Sequence, residues 1–131
     1  MWLFKIAEQY YLRDGKKIRT PKKLSSKGER IVASTLEKHG IAYEAQYRFH
    51  CLHTDFAIRK GSRLYFIEYD GAQHFRPVKK FGGVRSFIVQ YIHDWLFNVQ
   101  CKDEGIKLLR IRYDIPYSNI EEMILDFLEI E

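Results

Sequence analysis

Cysteine is scarce in this chain: among 131 residues only Cys51 and Cys101 are cysteines, far apart in sequence. Their separation matches no zinc or redox spacing, which argues against a disulfide framework and for two buried thiols in a reducing compartment. Long apolar runs are missing too. No stretch approaches the ~20 residues of a membrane-spanning helix, and the opening Met-Trp-Leu-Phe is broken at once by Lys5 and Glu8, unlike the apolar centre of a secretory leader. The expectation is a soluble, cytoplasmic protein with no membrane partner. Repeats and low-complexity tracts are also lacking.

Hydrophobic residues make up 46% of the chain, an ordinary fraction for one domain that buries a core. The formal net charge is +5 and the pI is near 9.2. That charge is unevenly placed: residues 1–30 hold nine Lys or Arg against three Asp or Glu, whereas the remaining residues hold thirteen against fourteen. A concentrated basic excess favours a polyanionic partner. The segment 13–23 (RDGKKIRTPKK) has six basic residues, Gly15 and Pro21 without apolar periodicity, so residues 1–25 read as a basic N-terminal arm and 26–131 as the folded domain.

Ser26 followed by Glu29 has the form of a capping box, Ile31, Val32, Thr35 and Leu36 recur at helical spacing, and Gly40 is a stop, which predicts a helix over about 26–39. Tyr43, Ala45, Tyr47 and Phe49 alternate with Glu44, Gln46 and Arg48 as in a half-exposed strand. Strands at 54–59 (TDFAIR) and 63–69 (RLYFIEY) follow, joined by a turn at Lys60-Gly61-Ser62. Phe87, Ile88, Tyr91, Ile92, Trp95, Leu96 and Val99 predict the inner face of a long helix over about 84–103. A fourth strand at 106–112 (IKLLRIR) precedes a last helix, for which Ser118 and Glu121 suggest a second capping box. The order αβββαβα implies an α/β fold with a mixed four-stranded sheet flanked by helices.

Two carboxylates fall in the middle of that sheet, Asp55 and Glu68, with Asp70 just behind. Adjacent antiparallel strands can bring them together, and clustered carboxylates with water suit a hard divalent cation such as Mg²⁺. The plainer alternative is that they pair with Arg59, Arg63 or Arg110. A zinc site from His50, His53, Asp55 and His93 is poorly supported, because residues 50 and 53 do not share a strand face.

GE at 28–29, TDFAI at 54–58, IEYDGAQHF at 67–75, HDWLFN at 93–98 and IKLLRIRY at 106–113 resemble the PD-(D/E)XK nuclease superfamily, and within it the branch of very-short-patch-repair and phage homing endonucleases with a Glu-Asp-x-His-Asp signature. The resemblance covers nearly everything after residue 25. It implies a restriction-endonuclease-like core and catalytic residues Glu29, Asp55, His74 and Asp94. It also implies Mg²⁺, for which Mn²⁺ can substitute, held by Asp55 with Glu68 or Asp70. Two departures stand out: Asp70 occupies the position of the lysine in the superfamily's simplest pattern, and the cysteines of a repair-type zinc site are lacking.

On this resemblance the expected activity is hydrolysis of phosphodiester bonds in double-stranded DNA, with His74 handling the attacking water and Asp94 orienting the imidazole. Lys16, Lys17, Arg19, Lys22 and Lys23 of the arm, Arg76, Lys79, Lys80 and Arg85 around Gly82-Gly83, and Asn98 are the expected DNA contacts. Residues 118–131 carry five acids and no base, so the last helix is expected to face away from DNA. Glu29 and Asn98 also have plain explanations, as a capping residue and as ordinary helix surface. The alternatives to a homing-type enzyme are a structure- or mismatch-selective repair nuclease and an inactive DNA-binding module of the same fold. A double-strand break would need two sites, as in a homodimer, or two visits.

Overall fold

The computed structural model of the protein describes residues 26–130. The basic arm and its Lys16, Lys17, Arg19, Lys22 and Lys23 lie outside the described residues. Helix α1 (Lys27–Lys38) starts where Ser26 Oγ accepts the backbone N–H of Glu29 at 3.1 Å, satisfying one of the free donors of a helix N-terminus. Strands β1 (Glu44–Phe49), β2 (Leu52–Lys60) and β3 (Arg63–Asp70) follow. Short 3₁₀ turns at Ala72–His74 and Lys79–Phe81 lead into helix α2 (Gly83–Asp103), then strand β4 (Lys107–Arg112) and helix α3 (Tyr117–Phe127).

The sheet order is β1-β2-β3-β4, with β1–β2 and β2–β3 antiparallel and β3–β4 parallel, so α2 is the crossover a parallel pair requires. This is the mixed sheet with flanking helices expected from the order of elements. One face carries Phe56, Ile58, Tyr65, Ile67 and Ile111 against Val32 and Leu36 of α1 and Ile120 and Ile124 of α3. The other carries Phe49, Ala57 and Phe66 against Phe97 and Cys101 of α2. Each such large side chain taken from water stabilises the fold by about 1.5–3 kcal/mol before entropy is counted. Cys101 is buried, whereas Cys51 is only half-buried.

Three local expectations are corrected. Alternation in β1 breaks at Gln46, whose φ of 52° is left-handed; Gln46 is half-buried and Ala45 exposed, the reverse of the period-two pattern. The last helix begins at Tyr117 with Pro116 as its N-cap and no side-chain cap, so Ser118 already lies inside the first turn and cannot cap it. Glu121 instead bonds Lys38 and His39 of α1 at 3.0 and 2.8 Å. The expected inner face of α2 is largely outer: Ile88, Tyr91, Trp95 and Val99 are exposed, and the fully buried positions are Phe97 and Cys101. The helix rests on the sheet through a narrow contact, so an apolar stripe remains on its far side.

α2 closes with Gly105 at φ 68°, where Ile106 N–H reaches Cys101 O at 2.9 Å and Gly105 N–H reaches Lys102 O. This left-handed glycine cap turns the chain directly into β4, which sets Arg110 beside Glu68 in the parallel register.

Candidate active site

Cross-strand pairing brings the two central carboxylates together. The Asp55 backbone N–H donates to Glu68 Oε1 at 3.1 Å, and Asp55 Oδ2 accepts the Tyr69 N–H at 2.9 Å. Gln46, opposite Asp55 across the β1–β2 pair, gives its side-chain N–H to Asp55 Oδ1 at 3.3 Å. Burial pushes the Asp55 carboxyl up despite these donors, with Asp70 adding to the rise. Glu68 is driven well above the usual carboxylate range by burial and then by the neighbouring Asp55 charge. Two half-buried carboxylates this close resist ionising together, so a proton or a cation between them is favoured.

Glu29 reaches the same cluster from the first turn of α1. Its carboxyl is pushed up to about 7, first by burial and then by Asp55. The approach depends on Gly28, because a Cβ there would lie 2.0 Å from the ring of Tyr69. With hydrogen at that position the helix approaches the Tyr69 ring closely, which brings the start of α1 to the end of β3. The glycine and glutamate at 28–29 thus form one structural unit.

Arg110, Asp70, His74 and Asp94 form an adjoining group. Arg110 Nη1 donates to both Asp70 oxygens at 3.1 and 3.0 Å, and its Nε donates to Asn98 Oδ1 at 2.9 Å. The Asp94 Oδ1 lies 3.7 Å from the same Nη1 and accepts from Gln90 at 2.9 Å. His74, on the turn after β3, places Nδ1 2.8 Å from Asp94 Oδ2 and 3.6 Å from Asp70 Oδ1. Burial acts to lower the His74 pKa, but the Asp94 hydrogen bond and the Asp70 and Asp94 charges outweigh it and the net shift is upward. With Nδ1 held, Nε2 is the nitrogen available to a water or substrate.

The four residues singled out from sequence thus fall into two touching groups: Glu29 with Asp55, and His74 with Asp94, joined through Glu68, Asp70 and Arg110. Asp70 has both oxygens committed to Arg110. Asn98 is exposed and holds Arg110 in place. Arg76, Lys79 and Lys80, on the segment between His74 and α2, and Arg85, in the first turn of α2, are all exposed. Arg110 was named from sequence only as a plain ion-pair partner for the sheet carboxylates, a pairing it makes with Asp70, and Gln46 was not singled out. Arg110 had a signal in the alternation of IKLLRIR, which interrupts an apolar strand face with a cation; Gln46 had none, since its backbone leaves the strand pattern at that residue.

No family model, curated protein or solved structure matches the chain. Among the described residues, no three His, Cys, Asp or Glu side chains converge as a ready metal cage. His50 pairs with Glu104 at 2.8 Å. His53 is lowered to about 4 by burial and by His93, which keeps it neutral. Also among the described residues, no helix is long and apolar enough to cross a membrane.

Proposed function

We propose that this chain is a metal-dependent DNA endonuclease of the restriction-endonuclease-like kind, hydrolysing a phosphodiester bond at the junction of the two groups. The observation that supports this best is the meeting of an Asp55–Glu68 carboxylate pair, raised by burial, with a His74–Asp94 pair whose outer nitrogen is free. A homing-type, site-specific enzyme is the form of this reading that the sequence resemblance favours.

The residues present fit Mg²⁺. This ion commonly takes only one or two protein carboxylates and completes its octahedron with water and substrate phosphate, so a closed cage is not required. Asp55 and Glu68 would hold it, and a cation there would relieve the repulsion that raises both groups. Asp70 is the weaker candidate because Arg110 occupies it. When bound, the ion offsets the charge that builds on the phosphoryl oxygens.

The chain's own groups supply the rest. His74 Nε2 takes a proton from water as the water oxygen bonds to phosphorus, and the leaving oxygen departs with the electron pair of its broken bond to phosphorus and takes a proton from solvent water. Asp94, fixed by Gln90, holds the imidazole tautomer that leaves Nε2 unprotonated. Glu29, poised near neutrality, accepts or donates a hydrogen bond to the same water. The Arg110 guanidinium contributes fixed positive charge beside Asp70 and Asp94. Arg76, Lys79, Lys80 and Arg85 would meet the phosphate backbone beside the cleavage point.

The test is single-turnover cleavage of plasmid DNA with Mg²⁺ or Mn²⁺ by the wild type and Asp55→Asn. The substitution keeps size while deleting a ligand charge, so a loss of at least about 100-fold in the cleavage step with DNA binding retained is expected. Cleavage at the wild-type rate would overturn the assignment, and binding without metal-dependent cleavage by the wild type would identify an inactive DNA-binding module instead.

A further inference from the structure

The outer side of α2 carries more exposed apolar surface than its place in the fold explains. Val84, Ile88, Tyr91, Trp95 and Val99 retain 62%, 52%, 63%, 57% and 38% of their surface exposed. Their successive spacings of four, three, four and four residues make one stripe along the helix, the pattern by which one helix packs on another. Gln90 and Asp94, which serve the His74 group, lie about a quarter-turn away at ~100° per residue. The stripe is therefore free to be covered without disturbing that group.

We propose that this stripe is a homodimer interface, in which α2 packs antiparallel against α2 of a second copy about a two-fold axis near Tyr91. Self-complementarity and charge select this occupant. An antiparallel match centred there sets Val84 against Val99 of the second copy and Ile88 against its Trp95, while the two Tyr91 rings flank the axis. Lys80, on the turn before α2, then comes near Asp103 of the other helix, next to Lys102, while Glu104 stays with His50 of its own chain. Antiparallel helix dipoles add to that match. The five side chains leave roughly 600 Å² per chain to cover, about 1,200 Å² for a pair, which reaches the lower end of specific interfaces.

This inference shares only its basic flank with the nuclease reading; the apolar stripe itself serves no part of that reading, and the test needs no DNA. Sedimentation equilibrium of the full chain over about 1–200 µM should show a monomer–dimer equilibrium. Tyr91→Glu or Trp95→Glu should raise the dissociation constant at least about thirty-fold, as loss of a central aromatic anchor does. Asp103→Lys should weaken the dimer, and adding Lys80→Glu should restore it. Unchanged circular dichroism would establish that the variants are folded, as expected for exposed positions. In Trp2→Phe, Trp95 is the sole tryptophan, and its shielding from acrylamide should grow with protein concentration in step with dimer formation. A chain that stays monomeric, a dimer indifferent to both glutamate substitutions, or a Trp95 already shielded in the monomer would each overturn the proposal, the last by showing that another part of the same chain covers the stripe.

Discussion

Glu29→Gln should make the protein more stable at alkaline pH and leave it nearly unchanged at pH 5. The Glu29 carboxyl moves from its ordinary 4.5 to about 7 in the folded chain, so between these values the folded state keeps a proton that the unfolded state has released. Stability linked to this group is fully present below about 4.5 and falls as pH rises through about 7. A shift of that size corresponds to at most about 3.4 kcal/mol, and partial access of water to the carboxyl reduces it to about 1–2 kcal/mol. One effect opposes the change: an ionised Glu29 in the first turn of α1 gains about 0.3–1 kcal/mol from the helix dipole, which Gln forgoes. Ser26 caps the backbone N–H of residue 29, and Gln retains that bond. Asp55 and Glu68 are raised in both proteins, so the difference between wild type and variant isolates Glu29. Urea unfolding of both proteins at about pH 5 and pH 8 without divalent ions measures it. A gap opening toward pH 8 by about 1 kcal/mol in favour of Gln is expected. Parallel pH dependences would refute the reasoning, because they would mean that the Glu29 carboxyl is well solvated and apart from Asp55.

Two further outcomes follow from the same geometry. If His74 acts as a base it must be neutral, so the single-turnover rate should climb with pH through the raised His74 pKa; Asp94→Asn should lower both the rate and that midpoint, and adding it to His74→Ala should cost little more. An unmoved midpoint, or multiplicative losses in the double variant, would separate the two residues. Gly28→Ala should destabilise the fold by about 1–3 kcal/mol in urea unfolding, because its Cβ meets the Tyr69 ring and forces α1 off the end of β3, and wild-type stability in that variant would show that the contact yields without strain.

The elements themselves were legible in the sequence because they rest on local chemistry. The hydroxyl of Ser26, the stop at Gly40, the turn at Gly61 and the β-rich runs at TDFAIR and RLYFIEY are short-range signals, and all four strands and three helices of residues 26–130 formed where those signals stand. The meeting of Asp55 with Glu68 was legible for the same reason, since a tight hairpin leaves few registers for two adjacent strands. What the sequence could not settle depends on contacts between elements distant along the chain. Periodicity placed seven apolar residues on one side of α2, but which side faces the sheet is decided by where Phe49 and Phe66 leave room, and they receive Phe97 and Cys101. Arg110 becomes the link between Asp70, Asp94 and Asn98 only because β4 pairs in parallel with β3 and α2 crosses above it. Glu29 departs from an ordinary capping residue because the close approach of Gly28 to Tyr69 brings it to the end of β3, near Asp55. The local sequence set the chain's punctuation and its candidate carboxylates. Packing decided which of them lost water and gained charged neighbours, and at Glu29 burial and the Asp55 charge move the carboxyl from 4.5 to about 7.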